Sequence, residues 1–177
     1  MTVTHPHEHL SIRPTTPADL PALRELIERC SPETLYRRFH GAGTRVADRE
    51  LQRIAAPTEH HRSWVALDSR GTVRGTATLA CSRSGDVEVA VLVEDAWFRH
   101  GVGQALTDAV ASAAQRARIA AVHATVQADN RRAREFLHAV APGAASRIHA
   151  GEIDVTISRW APRSTSFTDP TPTLECA

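Results

Sequence analysis

Two features of this chain could do chemistry together. Glu88 is the one charged side chain in the apolar run Val87-Glu88-Val89-Ala90-Val91-Leu92-Val93, and thirteen residues later the chain reads Gly101-Val102-Gly103. Burial penalises the charged form of a carboxylate, so a partly buried glutamate is a better base than one in water and a candidate proton acceptor. The glycine pair sits where strand-like sequence hands over to an Ala-rich helical pattern. The first N–H groups of a helix have no intrahelical partner, and the aligned peptide dipoles add about half a positive charge there. Glycines at 101 and 103 bare that backbone, which makes the loop a candidate phosphate cradle.

Motif details narrow the phosphate ligand. A P-loop ends in Gly-Lys-Ser/Thr, but Gly103 is followed by Gln104 and Ala105, and the chain contains no lysine. A dinucleotide fingerprint needs a third glycine at 106, which is Leu106, and no βαβ unit with an acidic residue roughly 20 positions on is evident.

The elements that must position these residues follow from periodicity. His9 to Arg13 reads as a strand. Thr15 or Thr16 caps a helix with Leu20, Leu23, Leu26 and Ile27 on one face, and Ser31-Pro32-Glu33 opens a second helix carrying Leu35, Tyr36 and Phe39 and stopping at Gly41. A third short helix runs from Asp48 toward Pro57. Three antiparallel strands are expected at Trp64–Leu67, Val73–Ala80 and Val87–Val93, joined by turns at 68–71 and 83–86. In the helix after the glycine loop, Val102, Leu106, Ala109, Val110 and Ala113 share a face. A strand at Ile119–Val126, a helix capped by Asp129 or Asn130, and strands at Ser146–His149 and Ile153–Ser158 close the order.

Composition bounds the rest. With 177 residues and 42% hydrophobic content the chain can bury one core, over residues 9–160, between a flexible 1–8 and a Ser/Thr/Pro-rich, disordered 161–177. A net charge of +1 offers no broad basic field for nucleic acid or anionic membrane, and no run approaches the ~20 apolar residues of a membrane helix. The start lacks the marks of a secretory signal, so a cytoplasmic protein is expected. Cys30, Cys81 and Cys176 are too few and scattered for a disulfide framework, and His5, His7 and His9 lack the carboxylates or cysteines that would complete a metal site.

The segment Glu94-Asp95-Ala96-Trp97-Phe98-Arg99-His100-Gly101-Val102-Gly103, set between strand and helix, resembles the acetyl-CoA motif of the GNAT superfamily of acyl-CoA-dependent N-acyltransferases, Gln/Arg-x-x-Gly-x-Gly/Ala after the fourth strand. Phe98 stands at the Gln/Arg position. The element order over residues 9–160 is also that of the family, and Ser31 to Phe39 together with Glu88 to Gly103 is most similar to the catalytic domain of bacterial protein-lysine acetyltransferases. The resemblance implies an α+β fold, with a mixed, mostly antiparallel central sheet and helices on both faces. It implies acetyl-CoA as co-substrate, no metal, and direct acetyl transfer to a primary amine in a ternary complex, the acceptor being a protein lysine or a small amine. The protein would be a monomer or homodimer, and neither nucleic acid nor membrane would be a partner. A non-catalytic acyl-CoA sensor with the same fold is the competing class.

Residue roles follow from the same resemblance. Glu88 matches the general base, although the valines at 87, 89, 91 and 93 would by themselves make the buried face and leave it pointing outward. Backbone N–H groups of Val91, Leu92 and Val93 match those that polarise the thioester where the strand splays from its neighbour. Arg99, His100, Gly101, Val102, Gly103, Gln104 and Ala105 match the pyrophosphate loop. Asn130 matches an asparagine near pantetheine, or simply caps its helix. The tyrosine that commonly serves the leaving thiolate is replaced by Leu137. Tyr36, on a helix that lines the acceptor cleft in the family, and His138 are the substitutes on offer. Arg37 and Arg38 could meet an acidic acceptor, but a solvated helix face is the expectation.

Overall fold

The computed structural model describes residues 10–39, 46, 48–82, 84–158, 160–162 and 174. Its elements are β1 (Ser11–Pro14), α1 (Leu20–Arg29), α2 (Pro32–Phe39), α3 (Asp48–Ala55), β2 (His61–Leu67), β3 (Val73–Cys81), β4 (Val87–Val93), α4 (Val102–Arg116), β5 (Ala121–Gln127), α5 (Arg131–Val140), β6 (Ala145–His149) and β7 (Glu152–Ser158). The seven strands form one sheet in the order β1-β2-β3-β4-β5-β7-β6, antiparallel except between β4 and β5. This is the expected α+β layout. The expected stop of α2 at Gly41, and the histidines before Leu10, lie outside the described residues.

The period-2 alternation of the strands divides two cores across the sheet. On one face Trp64, Ala77, Leu79, Val87 and Val89 pack against Val102, Leu106 and Val110 of α4. On the other, Val65 and Leu92 pack against Leu23 and Leu26 of α1, Leu35 of α2, and Leu51 and Ile54 of α3. By the same alternation His61, Ser63, Ala80, Glu88 and Ala90 face the α1–α3 side. β2 begins three residues before the expected Trp64. His61 and Ser63 occupy inward positions there, and their polarity hides the alternation that would have revealed the strand.

Gly75 is required by packing. A Cβ there would lie 2.8 Å from the Leu92 carbonyl oxygen and 3.0 Å from Val102 Cγ1, so β3, β4 and the start of α4 meet where only hydrogen fits. Leu174, in the stretch expected to be disordered, is 6% exposed and belongs to the α4-side core. Cys81 is disulfide-bonded, which its scattered sequence position did not suggest. Cys30 is free and buried, and burial, reinforced by Asp95 and Glu94, pushes its thiol up to about 12, so it is inert at neutral pH.

Candidate active site

β4 and β5 are joined at one register pair, Glu88 with His123. Beyond it the strands part, and the opening exposes the edge of β4. The Glu94 N–H donates to the Arg74 carbonyl at 2.9 Å. Because ladder bonds alternate in an antiparallel pair, Leu92 and Ala90 also direct their polar groups at β3, whereas Val91 and Val93 direct theirs at the opening. The closeness of the Leu92 oxygen to Gly75 agrees with this. Of the three expected amides, those of Val91 and Val93 therefore face the gap and that of Leu92 is engaged by the neighbouring strand.

The loop that follows β4 turns twice through left-handed backbone, at Arg99 (φ 66°) and Gly101 (φ 82°), a curl that makes consecutive amides converge. Among the described residues, the N–H groups of Arg99, Gly101, Val102, Gly103 and Gln104 have no backbone partner, while that of Ala105 donates to Gly101 at 2.9 Å and that of His100 to Trp97 at 3.4 Å. The cradle is thus narrower than the stretch from Arg99 to Ala105. Gly101 opens onto empty space, which leaves room for an anion, whereas a Cβ on Gly103 would meet the Phe136 ring of α5 at 3.2 Å. One glycine leaves room for the ligand and the other lets α5 close in. Free amides, a helix N-terminus and an unobstructed approach fit a pyrophosphate.

Hydrogen bonds and ion pairs fix this loop to the α1–α3 layer. The Asp95 carboxylate accepts from the Ser31 backbone at 2.8 Å, Ser31 Oγ at 2.7 Å and Thr34 Oγ1 at 2.8 Å, tying the start of α2 to the loop. Burial works against its ionisation, but the Ser31 and Thr34 hydrogen bonds outweigh that and hold the carboxyl below the usual range. Buried Glu94 accepts from Arg29 at 2.9 Å and from Arg74 at 2.9 Å, and Arg74 also donates to Asp68 at 2.8 Å. The Arg132 guanidinium, at the start of α5, lies over the Phe98 ring at 4.1 Å. A cation therefore stands beside the loop even though position 98 carries none.

These elements enclose a cleft of about 1690 Å³ that reaches from α2 and α3, through the opening between β4 and β5, to α4 and α5. That exceeds the roughly 300–1,000 Å³ of a pocket for one small ligand. Glu88, Val91, Val93, Gly101, Gly103 and Gln104 line it together. Asn130 lines it too, and its Oδ1 accepts from the Ala133 N–H at 3.1 Å, so it caps α5 as well. Leu137 lines the cleft, whereas Tyr36 is 52% exposed and outside the lining. Glu88 is exposed to the cleft and not partly buried.

Sequence reasoning missed the arginine geometry. Arg37 donates to Glu33 at 3.0 Å and to Asp129 at 2.9 Å, bridging α2 to the turn before α5. Arg38 points inward with a buried Nε, and burial pushes its guanidinium down to about 10 despite the nearby carboxylates of Glu50 and Glu88. Arg37 thus makes its ion pairs at the exposed surface, as a solvated face would, whereas Arg38 does not. The adjacent pair of arginines in a short helix carried no periodic signal to separate these fates.

The family model of the acetyltransferase (GNAT) family matches residues 20–140. The chain belongs to this family. GNAT membership supports acyl transfer from coenzyme A, with acetyl-CoA as co-substrate. No curated protein matches the chain. Among solved structures, the GNAT domain of S. lividans PAT is similar over 88% of this chain and 99% of its own, with 23% identity and a TM-score of 0.74. PaiA N-acetyltransferase from Thermoplasma acidophilum, solved in complex with coenzyme A, is similar over 85% of this chain and 99% of its own, with 13% identity and a TM-score of 0.69. The ribosomal-protein-S18-alanine N-acetyltransferase of Escherichia coli is similar over 90% and 99%, with 14% identity and a TM-score of 0.66. At these identities the likeness is one of fold. Among the described residues no group of His, Cys, Asp or Glu is placed to hold a metal.

Proposed function

We propose that this GNAT protein is an acetyl-CoA-dependent N-acetyltransferase that acts on a primary amine by direct transfer. The observation that carries the reading is Glu88, a carboxylate on the wall of the cleft at the point where β4 and β5 part. It lies three residues, about 10 Å along the strand, from the free amide of Val91. Acetyl-CoA supplies the acyl group and a thiolate that leaves. Glu88 takes the ammonium proton of the acceptor through a bridging water, since the separation is too long for direct contact at the thioester. The Val91 and Val93 N–H groups receive the charge that develops on the carbonyl oxygen, an interaction worth several kcal/mol in a water-poor site. The free amides of Arg99, Gly101, Val102, Gly103 and Gln104 hold the pyrophosphate, and Arg132, stacked on Phe98, supplies a cation at its flank.

Leu137 cannot protonate the leaving thiolate, and Tyr36 lies off the cleft. A free thiol with a pKa near 8.5 can depart with water as the proton source. The same two residues are what favour the alternative, a GNAT fold that binds acyl-CoA without turnover. Glu88→Gln separates the readings. If the protein is an enzyme, acetyl-CoA raises the melting temperature of parent and variant alike, while amine-dependent thiol release falls by about 10²–10⁴ in the variant. An unchanged rate in Glu88→Gln removes the base assignment, and no thiol release by the parent over a broad amine panel establishes the sensor. Protein lysine is the first acceptor to test, on the likeness to the S. lividans PAT domain. The chain has no lysine of its own, so lysine acetylation of an added protein is read free of self-modification.

A further inference from the structure

Four buried polar atoms on the α1–α3 side of the sheet have no hydrogen-bond partner among the described residues: Arg38 Nε, both ring nitrogens of His61, and Ser63 Oγ. An orphaned buried donor or acceptor costs about 1–3 kcal/mol, so a cluster of them needs a reason. Register places His61 in the same cross-strand row as the candidate base. His61 pairs with Ala80 and Ala80 with Glu88, so His61 and Glu88 stand two strand spacings apart, roughly 9.6 Å, with only a methyl group between them. Arg38, in the last turn of α2, lines the same cleft as Glu88. Its charge is felt at His61, and it feels those of Glu50 and Glu88. It makes no ion pair among the described residues, and its guanidinium rests on the Phe39 ring at 4.7 Å.

The charges here are defined at neutral pH. Burial, helped by Arg53, pushes His61 down to about 4, so it is neutral, and Arg38 keeps its proton. The cleft therefore presents the Glu88 carboxylate together with the Arg38 guanidinium, which forms no ion pair with the nearby Glu50 or Glu88. A guanidinium fork matches a carboxylate in geometry as well as in charge. We infer that Arg38 receives a carboxylate that the acceptor carries close to its amine. The acceptor is thus zwitterionic, either a free amino acid or a lysine flanked by an acidic side chain. This inference rests on the acyltransferase reading of the cleft.

Matched amines test it. Lysine and cadaverine differ by one carboxylate, as do ornithine and putrescine, and the peptide arm compares Glu-Lys with Gln-Lys sequences. In thiol-release assays the parent should favour the carboxylated member of a pair by tenfold or more in kcat/KM, and Arg38→Gln should collapse that ratio, with Arg38→Lys restoring part of it. Preference among the free amino acids assigns the carboxylate to a small acceptor, and preference confined to the peptides assigns it to a protein. Equal use of both members by the parent, or the same ratio in Arg38→Gln, overturns the inference. If no amine releases thiol, it is the acyltransferase reading that fails, and calorimetric titration of lysine and cadaverine into the coenzyme A-loaded protein still decides. Tighter lysine binding that Arg38→Gln removes supports the site, and equal or absent binding of both overturns it. Circular dichroism of each variant checks that it folds.

Discussion

Gly101→Ala separates backbone strain from ligand binding at one position. Gly101 adopts φ 82°, and no atom lies within 4 Å of the place an alanine methyl group would take, so alanine there meets no clash and costs only the left-handed backbone penalty of about 1–2 kcal/mol. For a chain of this size each kcal/mol lowers the melting temperature by about 2–4 °C, so the ligand-free variant should melt ~2–8 °C below the parent. Gly71, in the turn between β2 and β3, has φ 77° and equally open surroundings, and Gly71→Ala should show the same drop. The two differ in what their methyl groups face. At 101 the methyl intrudes where the free amides of Arg99, Val102, Gly103 and Gln104 converge with its own. A tenfold weaker Kd is 1.4 kcal/mol, taken from the ~2.7 kcal/mol that coenzyme A contributes at a hundred times its Kd. The assay is differential scanning calorimetry with and without coenzyme A. The gain on adding ligand should be intact in Gly71→Ala and smaller by roughly 3–6 °C in Gly101→Ala. Equal gains in both variants would show that the phosphate is held elsewhere.

Three further outcomes follow from contacts in the structure. Removing the cation beside the loop with Arg132→Gln should raise KM for acetyl-CoA severalfold with kcat little changed, and Phe98→Ala, which takes away its platform, should act in the same direction; steady-state kinetics with acetyl-CoA varied would expose an error as an unchanged KM. Gly75→Ala should cost about 1–3 kcal/mol as overpacking, because the Leu92 carbonyl at 2.8 Å must move, and urea denaturation showing no loss of stability would contradict the packing. His61 is depressed to about 4 from 6.5, so its neutral form contributes stability that is complete above 6.5 and lost as pH falls toward 4, up to about 3 kcal/mol. The urea midpoint of the parent should fall across that window more steeply than that of His61→Leu, and parallel curves would refute the depressed pKa.

Much of the fold was legible because its signals are local. β4 and its bounds were readable from an uninterrupted apolar run, and the amphipathic faces of α1, α4 and α5 from their spacing. β2 was cut short because inward polar residues imitate a loop. The catalytic reading of Glu88 rested on its place in the run, yet the structure leaves it open to the cleft, so its strength as a base depends on what the substrate excludes rather than on burial by the protein.

The sequence by itself determined the α+β order, the glycine loop at the mouth of α4 and the lone carboxylate of β4, since each is a matter of residue type and spacing within one or two elements. Tertiary structure alone decided which amides stay free, that Arg132 covers Phe98, that Arg37 is spent on Asp129 while Arg38 turns inward, and that His61 stands in line with Glu88. These depend on the register between strands and on how α2 and α5 close over the parting of β4 and β5. Contacts between residues far apart in the chain leave no mark in the spacing of either partner.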